Sequence, residues 1–305
     1  MAQSSTALRI GTRGSPLALV QAREVAARLL AAHGVAAELK IIKTSGDALQ
    51  DRSLADEGGK GLFTKEIEEA LLAGHIDLAV HSAKDVPTVL PNGLMLAACL
   101  EREDVRDVFI GASVKTLRDL PKGAVVGTSS PRRQALVKRA RPDVEIAVMR
   151  GNVETRLRKL ADGAADATIL ALAGLKRLGL AGHASTIMSV EEFLPAAGQG
   201  AIAIEVREDN EKIRALLNAI DHADTSTALA AERAFLGVLD GSCRTPIAGH
   251  ATIAGGKLKF RGLIAKPDGS AAFDASREGG VKDAVALGTD AGRELKKIVG
   301  PDFFR

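Results

Sequence analysis

The residues with the most chemical promise stand in LDGSCRTPIAG, Leu239 to Gly249, where Cys243 occupies a tight Gly/Ser turn after a long helical run. Upstream, Ala231, Phe235, Leu236 and Leu239 share one helical face and Asp240-Gly241 is a stop signal; downstream, Thr245-Pro246 opens a β run. Gly241 and Ser242 free the backbone and Arg244 favours the thiolate, so the turn presents a thiol. The commoner fate of a lone cysteine is to be a small buried hydrophobe, and Cys99, inside LMLAACL, reads that way. A second chemistry is anion binding. Ser15-Pro16 and Ser130-Pro131 are each an N-cap with proline at the first helical position, flanked by Arg13 in one case and by Arg132 and Arg133 in the other. Amides at such helix starts, with the helix dipole, attract carboxylates or phosphates. Arg150, at a strand end beside Gly151, suits the same use, whereas Arg158 and Lys159 read as solvated helix charges. A third chemistry is proton transfer. Asp85, delivered with Lys84 by the strand DLAVHSA, is either a turn or cap carboxylate or an acid/base, and its basic neighbours keep it ionised.

Those side chains need elements to hold them. Leu8 to Gly11 is a short strand, and the helix capped by Ser15 runs to about His33, closed by Gly34. ELKIIKT reads as a strand, Ser45 to Gly61 as a Gly-rich polar loop, TKEIEEALLAG as a helix, and DLAVHSA and GLMLAACL as strands. After the connector EREDVRD, VVGTSSPRRQALVKRARP repeats the design of RIGTRGSPLALVQAREV: strand, Gly-Thr, polar loop, Ser-Pro, helix. EIAVM, the helix VETRLRKLADG capped by Asn152, ATILALAGLKRLGL and LPAAGQGAIAIEVRE continue an alternation that predicts parallel sheets with the site at the strands' carboxyl ends. From Thr225 the texture changes to a helix ending near Leu239, β runs at HATIAG, KLKFRGLIAK and AAFDAS, and a helix from about Lys282 to Val299. A chain of 305 residues exceeds one ordinary core. The predicted fold is α/β, with an α/β domain over 1-100 plus 200-220 and a second over 101-199. An α+β domain with an antiparallel sheet follows over 221-305 and carries the cysteine.

Composition narrows the partners. Net charge is +3, from 41 Lys+Arg against 38 Asp+Glu, yet Thr128 to Lys159 holds nine basic and three acidic residues, a local excess of +6. Such a patch suits nucleic acid, a phosphate or a polycarboxylate. With no Trp, no Tyr and eight Phe, the stacking platform for single-stranded nucleic acid is nearly missing. No apolar run approaches the roughly 18 residues of a membrane span, and MAQSSTALRIGTRG does not read as a signal peptide, so no membrane contact and a cytoplasmic location are expected. Cys99 and Cys243 suggest no disulfide framework. The six histidines lack metal-ligand spacing, so no metal is expected. Neither a Walker run nor a dinucleotide Gly-x-Gly-x-x-Gly fingerprint stands at a strand-to-helix turn. Arginine-bearing helix starts on two α/β units instead describe a cleft for a ligand with several carboxylates or phosphates.

Seven blocks in order, GTRGSPLAL, GGKGLFTKE, HSAKDVPT, GTSSPRRQ, RGNVETRL, LPAAGQGA and ERAFLGVLDGSCRTPIAG, together resemble the porphobilinogen deaminase (hydroxymethylbilane synthase) family over nearly the whole chain. Pro131 stands where many bacterial members are expected to have Leu, and it fits the first helical position. The resemblance implies two solute-binding-protein-like domains plus the cysteine-bearing one. It also implies a dipyrromethane cofactor held by a thioether at Cys243. Four porphobilinogen units would then add head to tail with loss of ammonia, and hydrolysis would release the linear tetrapyrrole 1-hydroxymethylbilane. By the same matching Asp85 is the acid/base, assisting ammonia departure and steadying the azafulvene cation. Lys84, Ser130, Arg132 and Arg133 would bind the cofactor together with Asp85. Arg13, Ser15, Arg150, Arg156, Arg177, Gln199, Lys60 and Phe63 would bind substrate and growing chain. A monomer is expected, and Ser45 to Gly61, with Lys60 and Phe63 at its end, is expected to be a mobile lid. Two other readings stay open from the residues alone: a non-catalytic solute-binding module, and a basic nucleic-acid or phosphate binder with steeply salt-dependent affinity.

Overall fold

The computed structural model describes residues 7–48, 61–241, 245–299 and 303. In chain order the elements begin β1 Leu8–Thr12, α1 Pro16–His33, β2 Ala37–Ile41, α2 Ser45–Ala48, α3 Lys65–Leu72, β3 Leu78–Ser82 and β4 Leu94–Cys99, with a 3-10 turn Ala83–Asp85 after β3. They continue β5 Asp107–Gly111, β6 Val125–Gly127, α4 Pro131–Ala140, β7 Glu145–Ala147, α5 Val153–Ala161, β8 Ala167–Ala171, α6 Leu172–Arg177, β9 Thr186–Ile187 and β10 Ile202–Arg207. Last come α7 Glu211–Leu217, α8 Ala223–Val238, β11 Ile247–Ala254, β12 Lys257–Ala265, β13 Ala272–Gly280 and α9 Ala284–Val299. Two compact units emerge, one from 7–48, 61–103 and 201–226 of the described residues, the other from 104–200 and from 227 onward.

The first unit is a five-stranded sheet in the order β2-β1-β3-β10-β4. β1 runs parallel to β2 and β3, while β10 is antiparallel to both β3 and β4. Alternation along β3 sorts its two faces. Leu78 and Val80 join Val25, Leu29, Ile202 and Ile204 in one core, and Ala79 joins Ile67 and Leu71 in another. The sheet in the second unit repeats the plan as β7-β6-β8-β5-β9, with β5 the antiparallel member. Sequence alternation predicts parallel sheets, and each sheet departs from that by one strand. The odd strands, β5 and β10, are the ones the chain lays down just after passing from one unit to the other, a long-range event that local periodicity does not encode. The repeated Gly-Thr…Ser-Pro design occupies equivalent places, leading from β1 into α1 and from β6 into α4.

The helix starts follow their caps. Ser15 accepts from the Ala18 N–H, Ser130 from Arg133 and Asn152 from Thr155, with proline at the start of α1 and α4. Gly34 closes α1 at φ 66°, donating to the Leu30 carbonyl. The expected loop from Ser45 begins instead as the one-turn helix α2. Its Ser45 N–H donates to the Glu66 carboxylate and its Gly46 N–H to the Leu62 carbonyl. The remainder of the proposed lid, including Lys60, lies outside the described residues.

The second unit also contains the three-stranded antiparallel sheet β11-β12-β13, covered by α8 and α9 around Phe235, Phe260 and Leu295. α8 and α9 approach closely: a Cβ on Gly288 would stand 2.0 Å from the Ala231 carbonyl oxygen. α8 ends as its sequence indicates, with Asp240 in the left-handed region at φ 51° and the Gly241 N–H returning to the Leu236 carbonyl. Cys243 follows within 242–244, outside the described residues. Cys99 is buried at the end of β4, 2% exposed.

Candidate active site

In the first unit the chemistry gathers at the carboxyl end of β3. The strand leads into the Ala83–Asp85 turn, and Asp85, half-buried, lines a pocket of about 60 Å³ with Arg13, Ser15, Phe63, His81 and Ser82. Among the described residues the Asp85 carboxylate has no hydrogen-bond or ion-pair partner, and Asp85 lines the pocket together with Arg13. Arg13 stacks its guanidinium 4.3 Å from the Phe63 ring centroid. Phe63 also packs closely on α2: a Cβ on Gly46 would sit 2.5 Å from its ring. The Ser15 hydroxyl accepts the α1 cap bond, and Ser82 is anchored by the amide of Gln21, 3.0 Å away. A larger depression of about 430 Å³ among Arg28, Glu101 and His222 is open to solvent and away from this constellation. Lys84 sits half-buried in the same turn as Asp85.

In the second unit the organising group is Asp107, at the start of β5 and fully buried. Its Oδ2 accepts from Arg132 Nη2 at 2.7 Å, and its Oδ1 from Arg133 Nη2 at 2.6 Å and Nε at 3.1 Å. Gln199 Nε2 adds a donor to Oδ1 at 3.1 Å and also reaches the Val105 carbonyl. Burial alone would push this carboxyl up, but the two guanidiniums outweigh it and hold its pKa down at about 2. Burial and the neighbouring Arg133 press Arg132 toward losing its proton, yet a guanidinium stays charged in proteins, so the cluster carries one net positive charge. Arg132 further donates to the Leu194 carbonyl at 2.7 Å and lies 5.7 Å from the Phe193 ring centroid, while its Nε is buried with no partner among the described residues.

Arg150, 7% exposed, ends the segment after β7, with Gly151 beyond it at φ 118°, a conformation in which a Cβ would strike Thr155 at 2.6 Å. Arg156 donates from Nε to the Gly151 carbonyl, and Arg177 from Nη2 to the Gly200 carbonyl. The structure thus brings Arg132, Arg133 and Gln199 onto one buried carboxylate. Gln199, expected to meet substrate, is fully buried and holds Asp107. Arg158 is exposed, as a solvated helix charge should be, whereas Lys159, read the same way, is half-buried and donates from Nζ to the Arg150 carbonyl at 3.2 Å.

Sequence reasoning missed Asp107, which stands at the edge of a connector where its charge looked ordinary. It also missed Glu232, buried in α8, which accepts from the Gly198 and Ala251 amides at 2.6 and 2.8 Å and so ties the segment before β10 to β11. Glu205 was missed too, although a carboxylate inside the apolar run Ile202 to Val206 is a visible signal.

Comparison with known proteins is consistent along the chain. Residues 8–215 match the family model described as porphobilinogen deaminase, dipyromethane cofactor binding domain, and residues 226–297 the one described as porphobilinogen deaminase, C-terminal domain. Curated proteins named porphobilinogen deaminase from Nitrobacter hamburgensis and Nitrobacter winogradskyi are each 61% identical over 298 residues, covering 97% of this chain and 94% of theirs. Among solved structures, a putative methionine-binding lipoprotein from Bacillus subtilis aligns with TM-score 0.45 and 17% identity over 72% of this chain and 91% of that one.

Proposed function

The chain belongs to the porphobilinogen deaminase family, and from that premise we propose that Asp85 is its acid/base, with the arginines above binding carboxylates. The enzyme condenses four porphobilinogen molecules head to tail, with loss of ammonia, onto a covalently bound dipyrromethane and releases 1-hydroxymethylbilane by hydrolysis. The observation that carries the assignment of Asp85 is its pocket. A carboxylate without a partner among the described residues lines a space walled by an arginine stacked on Phe63 and by a helix N-terminus. When ammonia leaves the aminomethyl group of porphobilinogen, a cation develops on the pyrrole; the Asp85 carboxylate supplies the opposite charge and accepts pyrrole N–H groups. Arg13, with Ser15, Phe63 and Lys60, takes the acetate and propionate groups that each unit brings.

The dipyrromethane supplies the pyrrole carbon onto which the first unit is added. The second unit fits such a group: Arg132 Nε is a buried donor with no acceptor among the described residues, and the Asp107 cluster is one charge positive. Arg132, Arg133, Ser130, Lys84 and Asp85 hold the cofactor in this reading, with Cys243 as the thioether. Arg150, Arg156 and Arg177 serve the growing chain. Gln199 acts through Asp107. The three sheets support a division into 1-100 plus 200-220, 101-199 and 221-305, the last carrying Cys243. No helix among the described residues is long and apolar enough to cross a membrane, and the enzyme is proposed to work as a cytoplasmic monomer.

Asp85→Asn tests the assignment. It is expected to fold and bind substrate but to lose on the order of 10³-fold in turnover, as removal of the one charge opposed to a developing cation requires. Retention of more than about a tenth of the wild-type rate would assign the acid/base to another residue.

A further inference from the structure

Behind the Asp85 pocket lies a set of buried ionisable groups that the reaction as described leaves unused. His81 and Glu205 sit diagonally across the β3–β10 ladder, where Ala203 pairs with His81 and Glu205 with Ala79. His81 Nε2 meets Glu205 Oε2 at 3.0 Å, with side chains 3% and 0% exposed. Glu68 of α3, 6% exposed, adjoins them, since α3 packs on both β3 and β10. Glu205 Oε1 and Glu68 Oε1 are both buried, and among the described residues neither has a hydrogen-bond partner; the Thr64 hydroxyl beside Glu68 is buried and unpaired as well and can donate to only one of the two carboxylates. Ionised carboxylates only accept, so two of them cannot satisfy each other, but a single proton turns one into a donor and resolves both orphans together.

We propose that Glu68 is kept as a neutral acid hydrogen-bonded to Glu205. In this chain Glu205 in turn orients His81 against the Asp85 pocket, making Glu68, Glu205 and His81 positioning residues for the condensation. His81 lines that pocket and lies one turn of chain before Asp85, so its hold on Glu205 fixes the strand end from which the Ala83–Asp85 turn hangs. The charged surroundings of Glu68 agree in sign. Burial raises its pKa and the charges of Glu205 and Glu66 add to the rise, while the Thr64 hydroxyl and His81 act the other way without reversing it. An acid whose pKa is raised on folding makes the native state less stable as pH climbs from the unfolded value toward the folded one. Ionised Glu68 would stand against Glu205 with no donor between them. The floor of the pocket is then expected to loosen at alkaline pH, and activity to fall there.

The functional part rests on the assignment of Asp85, so the test begins with a readout independent of it. In the holoenzyme labelled with ¹³C at glutamate carboxyls, one resonance is expected to remain that of a protonated acid at neutral pH and to vanish in Glu68→Gln. The amide of Glu68→Gln mimics the neutral acid and still donates to Glu205, so this variant is expected to fold, to keep kcat within about twofold at neutral pH, and to lose the alkaline fall in activity. Glu205→Gln and His81→Ala are expected to lower kcat by about tenfold to a hundredfold through misplacement, with KM little changed. Glutamate carboxyls that all titrate in the ordinary range would overturn the inference, as would a Glu68→Gln variant that retains the wild-type alkaline fall. Misfolding of Glu68→Gln would count against it too, and the wild-type resonance alone still decides the protonation state.

Discussion

Replacing Asp107 by asparagine asks whether the two buried arginines depend on one carboxylate. Asparagine keeps the shape and one acceptor oxygen but turns an amide NH2 toward guanidiniums, which are donors only and cannot accept from it, and it leaves two positive charges at 4% and 6% side-chain exposure. Breaking a buried pair by removing one partner costs about 3–5 kcal/mol. The pH dependence gives a second, independent figure. Folding lowers the Asp107 pKa from 3.8 to about 2, so its contribution is present in full above the unfolded pKa and is lost as pH falls through the folded one. At about 1.4 kcal/mol per pKa unit that is about 2 kcal/mol, roughly half of it gone by pH 3. The two figures differ because the second counts only protonation, whereas substitution also strands the arginines. Urea unfolding of wild type and Asp107→Asn, each at pH 7 and pH 3, reads both, and comparing the pH change between them cancels the other depressed carboxyls, such as Asp77 and Asp104. Asp107→Asn is expected to be less stable at pH 7, with a gap that narrows at pH 3. A loss below about 1 kcal/mol at pH 7, or a gap that stays constant between the two pH values, would refute the coupling.

Phe63→Leu removes the face under Arg13 and is expected to raise KM for porphobilinogen about two- to fivefold without changing the unfolding midpoint, since a cation–π contact that solvent still reaches is worth about 0.5–1 kcal/mol; an unchanged KM would detach Arg13 from the substrate. Gly288→Ala forces a methyl group against the Ala231 carbonyl between α8 and α9 and is expected to cost about 1–3 kcal/mol in thermal or urea unfolding, whereas Gly182→Ala, with open space at its Cβ, should be near neutral. Equal effects of the two would mean that the helices separate freely.

What the sequence discloses and what it hides divide along the range of the interactions. Ser15, Ser130 and Asn152 are legible because each cap accepts from an amide three residues on, and Gly34 because its N–H donates to a carbonyl four residues back, so residue type and spacing contain the whole interaction. The Asp240-Gly241 stop is legible for the same reason. β5 and β10 are not, because a strand's direction in its sheet depends on where the chain arrives from, and both read locally as ordinary apolar strands. The helix at Ser45 is hidden because four residues containing Gly46 carry no periodicity, and its support comes from Leu62 and Glu66, far along the chain. Among site residues, Arg132 and Arg133 are visible as charge beside a cap, but the carboxylate that orients them is 25 and 26 positions away, and nothing in EREDVRD marks Asp107 out from its acidic neighbours. Gln199 shows the reverse error: a polar residue in a Gly-rich turn looks like a ligand-facing group, and it is fully buried against Asp107.

The central claim is covalent, that Cys243 carries a dipyrromethane on which the tetrapyrrole is built. Intact mass of the purified chain tests it most directly. The protein is expected to be heavier than its 31.7 kDa sequence by one dipyrrole, and the increment should be absent from Cys243→Ser but retained by Cys99→Ser. A wild-type protein at the mass of the bare chain that still converts porphobilinogen, or an increment that survives Cys243→Ser, would contradict it.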